Sequence, residues 1–169
     1  MIKDHPVVLE RLINYYKAWY DVTLGDLGSG LPLKAQCIHR NRKEKYVLSR
    51  KAKLWAVEVN DYLYLFDTPK LDKEQAEACI SFSIEDALPR VQPHGEHMYS
   101  FITAVFITDG AEPDAIKFVR RRRFTKSYKM GMHGSSPLKT ALFNIEMEKV
   151  ITNNMGRDLR KQIANICKE

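Results

Sequence analysis

Residues 99–108, Tyr-Ser-Phe-Ile-Thr-Ala-Val-Phe-Ile-Thr, form the most apolar stretch of the chain and carry no charge. β-Branched and aromatic residues dominate it, and Asp109-Gly110 closes it. A strand with one face in water alternates apolar and polar residues. A run that lacks this alternation belongs inside a sheet covered on both faces. Covering both faces takes helices, so the chain reads as α/β or α+β: a mixed sheet with helices packed on it. At 169 residues, 44% of them hydrophobic, it is long enough to bury such a core as one domain over residues 1–169. No apolar run approaches the ~20 residues of a membrane span, so no membrane-embedded helix is expected.

The remaining elements follow from periodicity. Leu9, Leu12, Ile13, Tyr16 and Tyr20 recur at helical spacing over about residues 7–20, with Pro6 near the first turn. The segment Gly25-Asp26-Leu27-Gly28-Ser29-Gly30 leads away from that helix. Residues 33–39 alternate as a strand, and the polar cluster 40–44 reads as a turn. Residues 46–49 and 54–59 follow as strands, then Asn60-Asp61 as a tight hairpin turn into 62–66. Asp72 caps the next helix with Gln75 as its capping-box partner, and Ala76, Cys79, Ile80 and Ala87 face inward. After the apolar strand, Glu112 and Pro113 open a helix to about Arg122 with Ala115, Ile116 and Val119 buried. Strands at 124–130 and 138–145 and a helix from Gly156 carrying Leu159, Ile163 and Ile166 complete the order α-β-β-β-α-β-α-β-β-α.

That opening order, helix, three antiparallel strands, helix, strand, helix, resembles the core of the restriction-endonuclease-like nucleases. Residues 107–110, followed by a helix ending in Arg120-Arg121-Arg122-Arg123, are similar to the late strand and helix of that fold. The resemblance implies an Asp on the second strand and a Glu-x-Lys or Asp-x-Lys on the third, the carboxylates holding magnesium. Here the nearest match is Glu58-Val59-Asn60, with Asn in the lysine position, and the strand at 45–50 has no Asp. Three further blocks, residues 55–60 (Trp-Ala-Val-Glu-Val-Asn), 93–98 (Pro-His-Gly-Glu-His-Met) and 150–156 (Val-Ile-Thr-Asn-Asn-Met-Gly), resemble a small domain family of unknown function from anaerobic bacteria and archaea. This second resemblance implies no activity, cofactor or catalytic residue.

Charge is unevenly distributed. The net formal charge of +6 arises from +4 over residues 1–70, −5 over 71–110 and +7 over 111–169. Such asymmetry is read in two ways: a basic face that meets nucleic acid or another anionic partner, or solubility charge on an exposed helix. Lys117, Arg120 and Arg123 fall at i, i+3, i+6, and beyond them Phe124, Lys126, Tyr128 and Met130 alternate onto one side. Cations beside rings suit a single strand, whose phosphates pair with the charges while its bases stack. The competing account is that cations favour the negative end of a helix and the rings belong to the core.

The alternative is a metal-dependent hydrolase or nuclease-like enzyme around Glu58 and His94/His97. Glu58 stands out as a carboxylate in an apolar strand, which calls for a partner or a shifted pKa. His97 is the second catalytic candidate, and His94, His97 and His133 are the metal candidates, though no His-Glu-x-x-His spacing appears. Gly131, His133, Gly134, Ser135 and Ser136 read as a hairpin connection, without the strand-to-helix context of a phosphate loop or a serine nucleophile. No cofactor motif is present and none is expected. Cys37, Cys79 and Cys167, odd in number and widely spaced, read as core thiols in a cytoplasmic protein, and residues 1–6 do not open a secretory signal. The enzyme reading requires the carboxylate and histidines to converge in one concavity; the binding reading requires grouped cations.

Overall fold

A computed structural model describes residues 2–46 and 53–168, with side chains at 2–41 and 57–168. In chain order the elements are α1 (His5–Lys17), β1 (Asp21–Leu24), β2 (Leu33–Tyr46), β3 (Lys53–Leu71), α2 (Lys73–Ala87), β4 (His97–Ala111), α3 (Pro113–Arg121), β5 (Thr125–Ser127), β6 (Ser135–Asn144), β7 (Lys149–Thr152) and α4 (Arg157–Ile166). The strands form one mixed sheet in the order β1-β2-β3-β4-β6-β5, with β7 also paired to β6. The first three run antiparallel, while β4 lies parallel to both β3 and β6.

The apolar run occupies the centre of this sheet, and Ile102 through Thr108 are buried without interruption. Period-2 alternation divides its side chains between two cores. Ile102, Ala104 and Phe106 face α2 and α3 beside Tyr62, Tyr64 and Phe66, with Phe66 and Phe106 stacked at 5.3 Å. Val105 and Ile107 face α1 and α4 with Leu63, Leu65, Leu12 and Ile163. Burying each such side chain contributes about 1.5–3 kcal/mol, so one strand anchors both layers. The helices end as their residues dictate. The Asp72 carboxylate accepts the Gln75 N–H at 2.7 Å, and Ala76, Cys79, Ile80 and Ala87 are buried as expected. All three cysteines are free and buried; burial pushes the Cys37 and Cys79 thiols up to about 12 and Cys167 to about 11, which leaves them unreactive. Among the described residues no helix is long and apolar enough to cross a membrane.

Three local expectations are corrected. β2 and β3 run 14 and 19 residues, straight through the turns expected at 40–44 and at Asn60-Asp61. Their mutual pairing overrides the local turn signal, and Asp61 finds partners in place, accepting from Tyr20 Oη at 2.9 Å and Thr103 Oγ1 at 2.7 Å. The strand expected at 46–49 lies mostly outside the described residues. β1 and β7 are additional short strands. The strand expected at 124–130 shrinks to β5, because Lys129 and Met130 turn left-handed at φ +48° and +53°.

At the opposite end of the sheet from β4's first residue, His5 joins α1 to two strands. One ring nitrogen bonds Asp67 of β3 and the other bonds Asp109 of β4, the latter at 2.7 Å. Burial opposes the imidazolium charge, but the two carboxylates outweigh it and raise the His5 pKa above its ordinary 6.5. The folded chain therefore holds a proton that the unfolded chain releases earlier. This contribution to stability is complete below pH 6.5 and is lost as pH rises through the raised pKa. Chemical denaturation of the wild type and His5→Asn across pH 5.5–8.5 should show a decline in the wild type that is flattened in the variant; parallel curves refute the assignment.

Two-sided burial predicts that the amides of residues 102–108 exchange with deuterium among the slowest in the chain, at rates set by global unfolding. Exchange there as fast as in β1 would contradict this architecture.

Candidate functional site

Glu58, His94, His97 and the residue-133 backbone, far apart in sequence, meet at the amino ends of β4 and β6. Their hydrogen bonds form one connected network. The Glu96 N–H donates to His94 Nδ1 at 3.2 Å, and His94 Nε2 donates to Glu58 Oε2 at 2.8 Å. Asn60 Nδ2 donates to Glu58 Oε1 at 2.8 Å and reaches Ser100 Oγ at 3.3 Å. Ser100 Oγ donates to His97 Nε2 at 2.8 Å, and His97 Nδ1 donates to the His133 carbonyl at 2.6 Å. These partners fix the tautomers: the carbonyl only accepts, so His97 carries its proton on Nδ1. Burial raises the Glu58 carboxyl, but its bonds to Asn60 and His94 prevail and hold its pKa below the ordinary value. The expected pairing of Glu58 is thus present, with His94 as its partner.

His97 is 4% exposed and Ser100 fully buried, and both ring nitrogens of His94 and His97 are occupied, while Asn60 Oδ1 is buried with no partner among the described residues. Among the described residues no group of three or more His, Cys, Asp or Glu is placed to hold a metal ion, so His94, His97 and His133 do not form a ligand set. The network also joins separate segments. It ties the 91–96 loop to β3 through Glu58, and the turn between β5 and β6 to β4 through His97. Tyr128 completes the packing, its ring edge-on to His97 at 5.9 Å and its hydroxyl 2.9 Å from Ser136 Oγ. The parts that Asn60, Ser100 and Ser136 play in this network had no local signal in the sequence, because they depend on partners from other strands.

Gly134 shows how closely the turn approaches. It has φ +77°, and a Cβ there would lie 2.4 Å from the Met98 carbonyl and 2.6 Å from His97 Nδ1. Gly131, at φ +88°, has nothing within 4 Å of the same position. Gly131→Ala should therefore cost only the left-handed backbone term, about 1–2 kcal/mol. Gly134→Ala adds a steric clash worth about 1–3 kcal/mol more. Urea unfolding of the two variants measures the difference; equal losses would show that the turn does not press on His97.

The basic residues sort into separate places. Lys117 and Arg123 line one concavity of about 430 Å³, together with Lys73, Phe118, Arg121 and Arg122; Asp114 is its single acid. Arg120 lies elsewhere, in a groove with Arg160 and β7. Lys126 sits 6.0 Å from the Tyr128 ring, on the histidine side. The helical alignment expected for Lys117, Arg120 and Arg123 does not extend to Arg123, because α3 stops at Arg121 and Arg122 is extended, at φ −62° and ψ 127°. Met130 does not continue the stripe either; it is 95% exposed in the turn after Tyr128.

Asn153 fixes the backbone that carries these arginines. Its Nδ2 donates to the carbonyls of Arg122 and Leu138, both at 3.0 Å, while its Oδ1 accepts from the N–H groups of Thr140 and Gly156 at 3.1 and 2.8 Å. Gly156 is required beside it, since a Cβ would stand 2.8 Å from the Thr140 carbonyl. The spacing Asn153-x-x-Gly156 is thus a clamp between the arginine run, β6 and α4. Arg123 also borders a second concavity of about 230 Å³ with Phe124, Asn154 and Met155, so the two hollows meet at its side chain. Among the described residues, none of Lys73, Lys117, Arg121, Arg122 and Arg123 has a carboxylate within ion-pairing distance.

Residues 4–165 match the family model described as a domain of unknown function (DUF8052). The matched span contains the three sequence blocks at 55–60, 93–98 and 150–156. No curated protein and no solved structure matches the chain.

Proposed function

The chain belongs to this domain family of unknown function, and from the geometry of its own residues we propose that it binds an anionic partner, a single-stranded nucleic acid, along the hollow between α2 and the end of α3. The observation that carries this reading is the grouping of Lys73, Lys117, Arg121, Arg122 and Arg123 around one concavity with a single carboxylate. The negative end of α3 accounts for Arg120 and Arg121, which lie in its last turn. It does not account for Lys73, which opens α2, where the helix dipole disfavours a cation. Phe118 and Phe124 flank the cations with half-buried rings, the combination of charge and stacking surface that a single strand uses. Three unpaired, buried thiols fit a reducing, cytoplasmic setting.

The alternative, a metal-dependent hydrolase at Glu58 and His94/His97, draws support from the convergence of those residues. The saturation of both imidazoles counts against it, since a catalytic base or ligand needs a nitrogen directed at the substrate or metal.

Fluorescence anisotropy with a labelled oligothymidylate tests the binding reading. Affinity should fall steeply with salt, each phosphate contact contributing about 0.7 to the log–log slope. Replacing Lys117, Arg121 and Arg123 together by Ala should flatten the slope by about 2, whereas Arg120→Ala leaves it unchanged. Absence of binding at low salt, or a slope indifferent to the triple variant, rejects the proposal.

A further inference from the structure

Arg123 stands between two hollows of different character. On one side is the basic concavity of Lys73, Lys117, Arg121 and Arg122. On the other, the concavity of about 230 Å³ has Arg123 as its single charged residue, and Phe124, Leu138 and Met155 supply its apolar walls. Its remaining polar groups, Thr125, Asn153 and Asn154, are uncharged. A second phosphate is poorly served there, since it would meet apolar walls and one cation already shared with the first hollow.

The walls are held in place by named bonds. The Leu138 N–H donates to the Phe124 carbonyl at 2.9 Å, and Asn153 ties Arg122, β6 and the turn into α4 through both ends of its amide. Phe124 and Met155, from separate segments, are thereby kept around one hollow. Asn153 spends its whole amide in this way, but Asn154 does not. Its Oδ1 accepts from Arg157 Nη2 at 3.0 Å, and among the described residues its Nδ2 has no partner. The Thr125 hydroxyl donates to the Phe124 carbonyl at 2.8 Å, which leaves its oxygen as an acceptor. Asn154 and Met155 are both exposed, so the hollow opens to solvent.

A flat heterocycle has apolar faces and an edge of mixed donors and acceptors, the combination that these walls and these two polar groups match. We propose that the hollow at Phe124, Asn154 and Met155 is a subsite for one unstacked base of the strand whose phosphates lie on the adjoining arginines. The assignment rests on the nucleic-acid reading and adds a base contact to it. The base packs on the Phe124 ring and the Met155 thioether, accepts from Asn154 Nδ2 and donates to Thr125 Oγ1. Every base carries a donor beside an acceptor on its pairing edge, so the subsite holds a base without choosing among the four.

The probes are fluorescein-labelled oligothymidylate and a strand of the same length in which every sugar is abasic, with anisotropy measured on the full chain. The two strands carry the same phosphates. The abasic strand should bind at least about fivefold more weakly, the lower end of what one stacked base contributes, at the same salt slope. This arm leaves the protein untouched. Asn154→Ala with Met155→Ala should lower thymidylate affinity about tenfold at an unchanged salt slope, while affinity for the abasic strand stays that of the wild type. Equal affinity of the wild type for the two strands, or a loss in the variant that is absent or equal on both, overturns the base subsite and leaves the phosphate surface standing. A flattened salt slope in the variant also overturns it, since that marks a lost phosphate contact. Failure of both strands to bind at low salt rejects the nucleic-acid reading itself, and the subsite with it.

Discussion

β4 has parallel neighbours on both edges and packed side chains on both faces, and the other elements take their positions from it. Two parallel pairings require two crossovers. α2 carries the chain from β3 to β4, and α3 with the short β5 carries it from β4 to β6. Both helices land on one face, against Ile102, Ala104 and Phe106. α1 and α4, at the two ends of the chain, close the other face, and the Ile2 N–H donates to the Cys167 carbonyl at 3.0 Å. The central strand is thus buried because the ends of the chain return to cover it.

At the amino end of β4 the apolar core gives way to polar groups that must be satisfied internally. The network of Glu96, His94, Glu58, Asn60, Ser100, His97 and the His133 carbonyl does most of this, leaving Asn60 Oδ1 without a partner among the described residues, and Asn153 joins α3 to β6 in the same way. Both networks rest on a glycine that allows backbone contact closer than a side chain permits, Gly134 in one and Gly156 in the other. They hold the segments on either side of the arginine run. Residues of the blocks at 93–98 and 150–156 thus hold loops against the sheet.

The contrast between α2 and β3 shows what a local reading can reach. α2 has its start signal at Asp72 and its buried stripe at Ala76, Cys79 and Ile80, all within one segment, and each was legible. Asn60-Asp61 carries an equally good local turn signal, yet it lies inside a 19-residue strand. The Asn60 amide nitrogen bonds Glu58 and Ser100, and Asp61 bonds Tyr20 and Thr103; three of these four partners lie outside any local window. β7 was missed for a different reason. Four residues give too short a run to show a period, and only pairing with β6 makes them a strand.

The layered α/β plan, the central place of residues 99–108, the helices and the burial of the three cysteines were all legible along the chain. Those properties follow from side-chain polarity at periods of 2 and 3.6, which neighbouring residues carry. Tertiary contacts alone set that His94 spends its nitrogens on Glu58 and the Glu96 N–H and His97 on Ser100 and the His133 carbonyl, and that Arg120 lines a different concavity from Lys117 and Arg123. The α3 helix ends two residues before Arg123, so helical spacing no longer governs where that side chain points. Contacts between residues distant along the chain set these outcomes, and no local period encodes them.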